Sequence, residues 1–344
     1  MMITPETINL HLPNSWNECT TLELETISNC IAQRAEMATR YNPFSMFDVK
    51  VNLFFLLSRI EIVEDVNPHT PLEEQYYICR CKQPNLNVFR GSLKRIIDFF
   101  KGNERIEFKL YVWQIQSWIE KELSWIDDEK AQGLTRFPYP NIKRGLLRKK
   151  FEGPSALMQD FSWQRYRFAE EYLSFYSKQQ NYFLQMIQHV KHHSRAELKR
   201  QFDIVDKAKS TFLAIIYNAK VKQIEEETKK KRFEYSYQSN QHLDNAKYFR
   251  HFDDIRFQVI LFWWQGMAHY LQEKYPHCFK KQDIKTIHKN VNSLDLYTRT
   301  TATMEKYLSM SEKDVNNQTF HIILQHLDDM AKENEEMEKI KSKK

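Results

Sequence analysis

Glycine and proline are almost absent from the second half of this 344-residue chain. Residues 155–344 contain one of the ten prolines, Pro276, and one of the six glycines, Gly266. These two residue types interrupt helices, so a stretch of this length without them is predicted to form long helices joined by polar turns. Residues 1–154 hold the other prolines and glycines and are predicted to contain more turns.

The N-terminal region combines capped helices with a short extended segment. Thr20 and Glu23 have the spacing of a capping box, which predicts a helix beginning after Thr20. A second, apolar helix is predicted over residues 45–59. Residues 76–81 and 106–112 are rich in strand-forming residues, and the second run alternates in polarity. These two runs predict a small β-hairpin.

The clearest helical periodicity begins at Phe161. Apolar residues recur there with alternating spacings of four and three, in two adjacent stripes that reach Val190. A helix with two apolar stripes is expected to pack against other elements on several sides, so we expect it to be the central helix of its domain. Further helices are predicted at residues 208–217 and 255–270, and after a cap at Ser311.

The expected fold is therefore mostly α. It is a multi-helix fold with long central helices and a small β-hairpin in the N-terminal half. The distribution of proline and glycine predicts a boundary between an N-terminal region, residues 1–154, and a C-terminal helical domain, residues 155–344.

Spacing excludes the common glycine-based enzyme motifs. The two closest glycines, Gly145 and Gly153, are eight residues apart. A P-loop, a dinucleotide-binding fingerprint and a nucleophile elbow all need closer pairs. The five cysteines are scattered, which favours free thiols in a reducing compartment. With no signal-peptide pattern and no apolar run of about 20 residues, we expect a cytoplasmic protein without membrane contact.

Three other clusters are weak candidates for chemistry. The pair Cys79 and Cys81 lacks the second pair that a zinc site usually needs. The histidines at 189, 192 and 193 lack the glutamate of a metalloprotease motif and stand at a polar helix end. His251 with Asp254 is the most enzyme-like cluster, although an aspartate there is expected to cap a helix. We therefore expect no catalytic residue, no metal and no cofactor, and predict that the protein is not an enzyme.

A basic segment is the strongest functional signal. From Lys130 to Lys150 there are seven basic residues and no acidic one. Prolines predict a flexible loop there, and Phe137, Tyr139 and Phe151 supply rings; such a loop suits phosphate backbones and unpaired bases. The alternative is a solvated linker that docks on an acidic surface such as residues 1–80. The candidate nucleic-acid-binding or anion-binding residues are Lys143, Arg144, Arg148, Lys149 and Lys150.

Three segments resemble helical proteins of phage and prophage gene clusters. They are Leu-Pro-Asn-Ser-Trp-Asn-Glu at 12–18, Arg-Gly-Leu-Leu-Arg-Lys-Lys-Phe-Glu-Gly-Pro at 144–154 with the helix after it, and residues 212–219. The last is similar to a Leu-x-x-x-Leu-Tyr-Arg-Pro pattern of that group, with Asn218-Ala219 in place of Arg-Pro.

The resemblance implies a non-enzymatic role in virion or tail assembly, such as that of a tail-assembly chaperone. Its partners would be other particle proteins or further copies of this chain, in the host cytoplasm or in the virion. It carries over no active site. The alternative function is nucleic-acid binding through the basic segment at residues 143–150.

Overall fold

A computed structural model shows that the chain is mostly α-helical, as the sequence predicts. The chain divides into two compact units, Met1–Gly133 and Leu134–Lys344. The structure describes residues 12–38, 45–66, 70–82, 105–128, 133–145, 148–224, 231–236, 241–279 and 293–341. No helix in these ranges is both long and apolar enough to cross a membrane.

Ten helices and seven strands lie in the described ranges. The helices are α1 Thr21–Met37, α2 Met46–Ser58, α3 Val112–Glu122, α4 Trp163–Gln188, α5 Arg195–Ile216, α6 His242–Ala246, α7 Asp254–Lys274, α8 Ser293–Leu308, α9 Glu312–Asn317 and α10 Phe320–Lys341. The strands are β1 Glu61–Glu64, β2 Tyr76–Lys82, β3 Arg105–Tyr111, β4 Asn141–Arg144, β5 Lys149–Glu152, β6 Asn218–Ile224 and β7 Lys231–Ser236.

Helix α1 begins where the capping signal predicts. The Glu23 backbone N–H donates to the Thr20 hydroxyl at 3.3 Å, and the Thr20 backbone N–H donates to the Glu23 carboxylate at 2.7 Å. Both bonds satisfy N–H groups that a helix end leaves unpaired. Helix α2 is capped in the same position by Ser45. Both predicted helices are confirmed.

The predicted N-terminal hairpin is part of a slightly larger sheet. Strands β2 and β3 pair antiparallel from Tyr76 opposite Tyr111 to Lys82 opposite Arg105. Strand β1 adds a third, antiparallel strand on the other side of β2. The hairpin is therefore confirmed, and β1 extends it.

Helix α4 has the predicted extent but not the predicted burial. Its buried residues are Trp163, Arg165, Tyr166, Ala169 and Met186, so its middle is largely uncovered by the described residues. Close contacts to α9 and α10 fall at its first turns, where the Trp163 N–H donates to the Gln318 carbonyl at 2.8 Å. Contacts with α6 and α7 continue as far as Tyr176, whose ring lies 5.0 Å from that of Phe257 between centroids. The expectation of a helix packed on several sides is wrong for its C-terminal part, where Tyr182, Leu184 and Ile187 are about half exposed.

A buried arginine holds the start of α4 against the end of α5. Arg165 is 1% exposed, and its guanidinium donates to the carbonyls of Ile215 at 2.9 Å and Ile216 at 2.7 Å. It also donates to the Asp160 carboxylate at 2.9 Å and stands 3.9 Å from the Phe161 ring centroid. Carbonyls at a helix end lack intrahelical donors, so Arg165 supplies partners for them.

The second half is not uniformly helical. The sequence predicts long helices joined by polar turns there, but β6 and β7 form an antiparallel hairpin between residues 218 and 236. Strand β6 also pairs with β5, Phe151 opposite Ala219, which makes one four-stranded sheet, β4-β5-β6-β7. Because β5 pairs with β6, strands β4 and β5 belong to the unit Leu134–Lys344 together with the later strands.

Candidate functional site

The basic segment folds as a hairpin of two β-strands, so the expectation of a flexible loop is wrong. Strands β4 and β5 pair from Asn141 opposite Glu152 to Arg144 opposite Lys149. At the turn, Gly145 has φ +75°, a left-handed conformation that glycine adopts without strain. The Arg148 N–H donates to the Gly145 carbonyl at 3.0 Å and closes the turn.

The hairpin places cations directly opposite one another. Lys143 pairs with Lys150, and Arg144 pairs with Lys149. Like charges facing each other across two strands destabilise a sheet by about 0.2–1 kcal/mol per pair. Two consecutive pairs of this kind repel each other, and the two faces of the hairpin differ in how that repulsion is offset.

The inner pair is compensated within the protein. Arg144 donates to the Tyr248 carbonyl at 3.1 Å, and Lys149 donates to the Asn245 side-chain oxygen at 3.0 Å. The Lys149 ammonium lies 4.8 Å from the Tyr248 ring centroid, within cation–π range. Burial, with the charge of Arg256, lowers the pKa of Arg144. Arg144 and Lys149 thus fix the hairpin to α6 and to the residues that follow it.

The outer pair points to solvent. Lys143 and Lys150 are exposed, and no carboxylate in the described part of the chain forms an ion pair with either. Lys220, which follows Ala219, the partner of Phe151, is exposed as well. We call Lys143, Lys150 and Lys220 the lysine row. Neighbouring strands lie about 4.8 Å apart, so the row concentrates positive charge on a short path across three strands.

The whole four-stranded sheet is basic. Its strands contain eight basic residues and two acidic ones, Glu152 and Glu234. Arg148 is exposed at the turn next to the lysine row and adds a further cation. Chemically, this surface can hold a run of phosphates by point-charge contacts.

The aromatic residues of the basic segment are not available for stacking on bases. Phe137, Tyr139 and Phe151 are all buried. The Phe137 ring lies 4.7 Å from that of Trp263, between ring centroids, and Phe151 packs on Phe249 at 4.9 Å. The prediction that these rings accompany the cations on a loop is therefore wrong, because the rings pack in the apolar core.

The weaker candidates have structural partners. Cys79 is fully buried, and the side chain of Cys81 lies outside the described residues. The rings of His189 and His192 are 6.5 Å apart between centroids. No group of three metal-binding side chains is found where the chain is described.

The His251 cluster is an ion-pair network at a helix start. Asp253 caps α7, accepting from the Arg256 N–H at 2.9 Å. Asp254 accepts from the Lys209 ammonium at 2.8 Å. His251, with φ +53°, donates its N–H to the buried Asp206 at 3.0 Å. The geometry therefore supports the interpretation that an aspartate of this cluster caps a helix.

Comparisons with known proteins add no assignment. No protein-family model, curated protein or solved structure matches the chain. The site is therefore interpreted from its own geometry.

The sequence reveals the cations of the site but not the residues that surround them. Nothing local in the sequence connects Tyr248 or Asn245 with the hairpin, since those contacts bridge about 100 residues of chain. The place of Lys220 depends on the pairing of β5 with β6. Alternating polarity around Val221 and Ile224 was the only available signal for that strand.

Proposed function

We propose that this protein binds nucleic acid through its phosphates, at the lysine row of the basic sheet. The observation that carries the proposal is the outer like-charge pair, Lys143 opposite Lys150, on an exposed face. Arg148 and Lys220 extend the positive surface on either side. A polyanion would relieve the repulsion that the sheet otherwise bears.

The binding is expected to be independent of sequence. Lysine is a flexible point charge that contacts phosphates without reading base edges, and phosphate contacts position a strand rather than specify it. Each neutralised phosphate releases condensed counterions, so affinity depends steeply on salt. The salt dependence therefore measures how many cations of the sheet take part.

Fluorescence anisotropy with a labelled single-stranded oligonucleotide tests the proposal. Between about 50 and 200 mM salt, four or five phosphate contacts predict a loss of affinity of about 50- to 130-fold. The double variant Lys143→Ala with Lys150→Ala is expected to make the slope of log affinity against log salt shallower by about 1.4, near 0.7 per lysine. A duplex of the same length shows whether the surface prefers single strands.

A matched double variant controls for net charge. Lys178→Ala with Lys199→Ala removes two exposed lysines from α4 and α5, outside the sheet. It is expected to leave the slope unchanged. If wild-type protein shows no salt-sensitive binding at low ionic strength, or if both double variants behave alike, the proposal fails.

A second candidate function is assembly by protein–protein contact, which the phage-type resemblance implies. The supporting observation is a group of large apolar side chains, each roughly half exposed, on α4 and the segment after it. They are Phe175, Tyr182, Leu184, Ile187 and Val190. Leu184 and Ile187, three residues apart, lie on one face of α4, and exposed apolar surface of this kind is typical of interaction sites. Under this proposal the protein works in the host cytoplasm or the virion, as an assembly factor or structural component such as a tail-assembly chaperone.

Coexpression with the neighbouring genes tests this second candidate. Copurification of a particle protein that is lost in Leu184→Ser with Ile187→Ser supports it. A control with Gln185→Ser, an exposed polar position on the same helix, should keep the partner. Recovery of monomer alone, without a particle protein, contradicts it.

A further inference from the structure

A pocket of about 400 Å³ lies between helices α4, α7 and α8 of the second unit. Its walls include the rings of Phe168, Trp264 and Tyr297, with Glu170 and Ser174 among its polar groups. The volume falls in the range of about 300–1,000 Å³ that small-ligand pockets occupy. A mostly apolar cavity with a few placed polar groups is the usual form of such a site.

Of the charged groups that line the pocket, Arg167 and Glu170 compensate each other, while Glu171 is exposed to solvent. The Arg167 guanidinium donates to one Glu170 oxygen at 2.7 Å, and the Tyr166 hydroxyl donates to the other at 2.7 Å. The Arg167 guanidinium also lies 5.4 Å from the Tyr297 ring centroid. Burial raises the pKa of Glu170, whereas the charge of Arg167 and the hydrogen bonds from Tyr166 and Arg167 act in the opposite direction and favour the ion pair. The interior thus suits a neutral, planar, hydrogen-bonding ligand better than an ion.

The pocket and the basic hairpin touch the same short helix. The Phe168 ring, on the pocket wall, lies 5.5 Å from the His242 ring, between centroids, at the start of α6. Asn245, one turn further along α6, accepts from Lys149 of the hairpin. Three residues of helix rise by about 4.5 Å, so the pocket wall and the inner face of the hairpin contact α6 about one turn apart.

We propose that this pocket takes one unpaired nucleobase from a strand whose phosphates lie on the basic hairpin. This inference rests on the proposed function and names the part of the nucleic acid that the lysine row cannot read. The base stacks on the exposed portions of Tyr297 and Phe168, and its polar edge meets Glu170 and Ser174. The pocket therefore supplies the stacking that the buried rings of the basic segment do not.

The primary test compares two variants that alter the pocket in different ways. Tyr297→Ala removes a stacking ring, whereas Ser174→Phe fills the cavity from an exposed position and leaves the core packing intact. Stacking on an aromatic ring strengthens binding by about 5- to 100-fold per base. Each variant is therefore expected to weaken oligonucleotide binding in that range, with an unchanged salt slope, because no phosphate contact is lost. Gln185→Phe, on the exposed surface of α4 outside the pocket, is the matched control and is expected to bind as the wild type does.

Free nucleosides separate this inference from the proposed function. A nucleoside carries no phosphate, so its binding, measured by saturation-transfer NMR, reports on the pocket alone. It is expected to persist in Lys143→Ala with Lys150→Ala and to disappear in Ser174→Phe. If oligonucleotides bind with a steep salt slope but Tyr297→Ala and Ser174→Phe change neither their affinity nor nucleoside binding, the pocket inference is overturned while the proposed function stands. If nucleosides bind but oligonucleotides show no salt-dependent binding, the proposed function fails and the pocket assignment stands alone.

Discussion

Replacing Arg165 by methionine is expected to destabilise the second unit strongly. Methionine keeps much of the side-chain volume, so the change isolates the loss of the guanidinium. Its three hydrogen bonds are to the Ile215 carbonyl, the Ile216 carbonyl and the Asp160 carboxylate. Arg165 is 1% exposed and both isoleucines are fully buried, so water cannot replace the guanidinium at their carbonyls.

The magnitude follows from the groups left behind. Each buried carbonyl that loses its donor costs about 1–3 kcal/mol, and breaking a buried ion pair from one side costs about 3–5 kcal/mol. Asp160 keeps hydrogen bonds from Ser155 and Asn218 and is partly exposed, so its share is small. We expect the free energy of unfolding to fall by about 3–5 kcal/mol, and the midpoint of thermal unfolding by roughly 6–20 °C for a unit of this size.

Urea unfolding followed by tryptophan fluorescence measures the change. Arg195→Met, at an exposed position at the start of α5, is the matched control and is expected to stay within about 0.5 kcal/mol of the wild type. Asp160→Asn combined with Arg165→Met should cost less than the sum of the single changes, because the two residues share one contact. A loss below about 1 kcal/mol for Arg165→Met would refute the anchoring role.

Three further outcomes are expected. Gly153→Ala should destabilise by about 1–3 kcal/mol in urea unfolding, because its Cβ would lie 2.3 Å from a Phe137 ring carbon; an unchanged midpoint would contradict the packing. Thr20→Ala should cost about 1 kcal/mol through the lost cap of α1, and Thr20→Ser, which keeps the hydroxyl, should restore most of it. Burial lowers the pKa of His321 below 6.5, so the unfolded chain takes up the proton first and stability should fall as the pH drops through about 6.5. His321→Gln should flatten that part of the pH profile measured by thermal unfolding, and an equally steep fall in the variant would contradict it.

Local signals predicted the helices well. The caps at Thr20, Ser45 and Ser311 each fall one residue before the helix that they begin. Capping and apolar spacing depend on residues three or four apart, so they can be recognised from the sequence alone. The joining of β5 to β6 in one sheet could not be predicted in this way, since it depends on the long-range pairing of Phe151 with Ala219.

The candidate site was predicted in part. The five basic residues of 143–150 could be named because their density is a property of the sequence alone. Their division into an inner pair held by Asn245 and Tyr248 and an outer, solvent-facing pair required the register of the hairpin. The buried arginine at Arg165 was hidden in an apolar stripe, because spacing does not reveal which polar side chain finds buried partners.

The sequence by itself determined that this chain is built mainly from helices and that one segment is densely basic. Both properties arise from composition and short-range order, where each residue interacts with neighbours a turn away. Only the tertiary structure decided that the basic segment is a hairpin in a four-stranded sheet, that its rings are buried and that a pocket opens beside α6. Those outcomes depend on contacts between distant parts of the chain, where burial of apolar surface outweighs local preference.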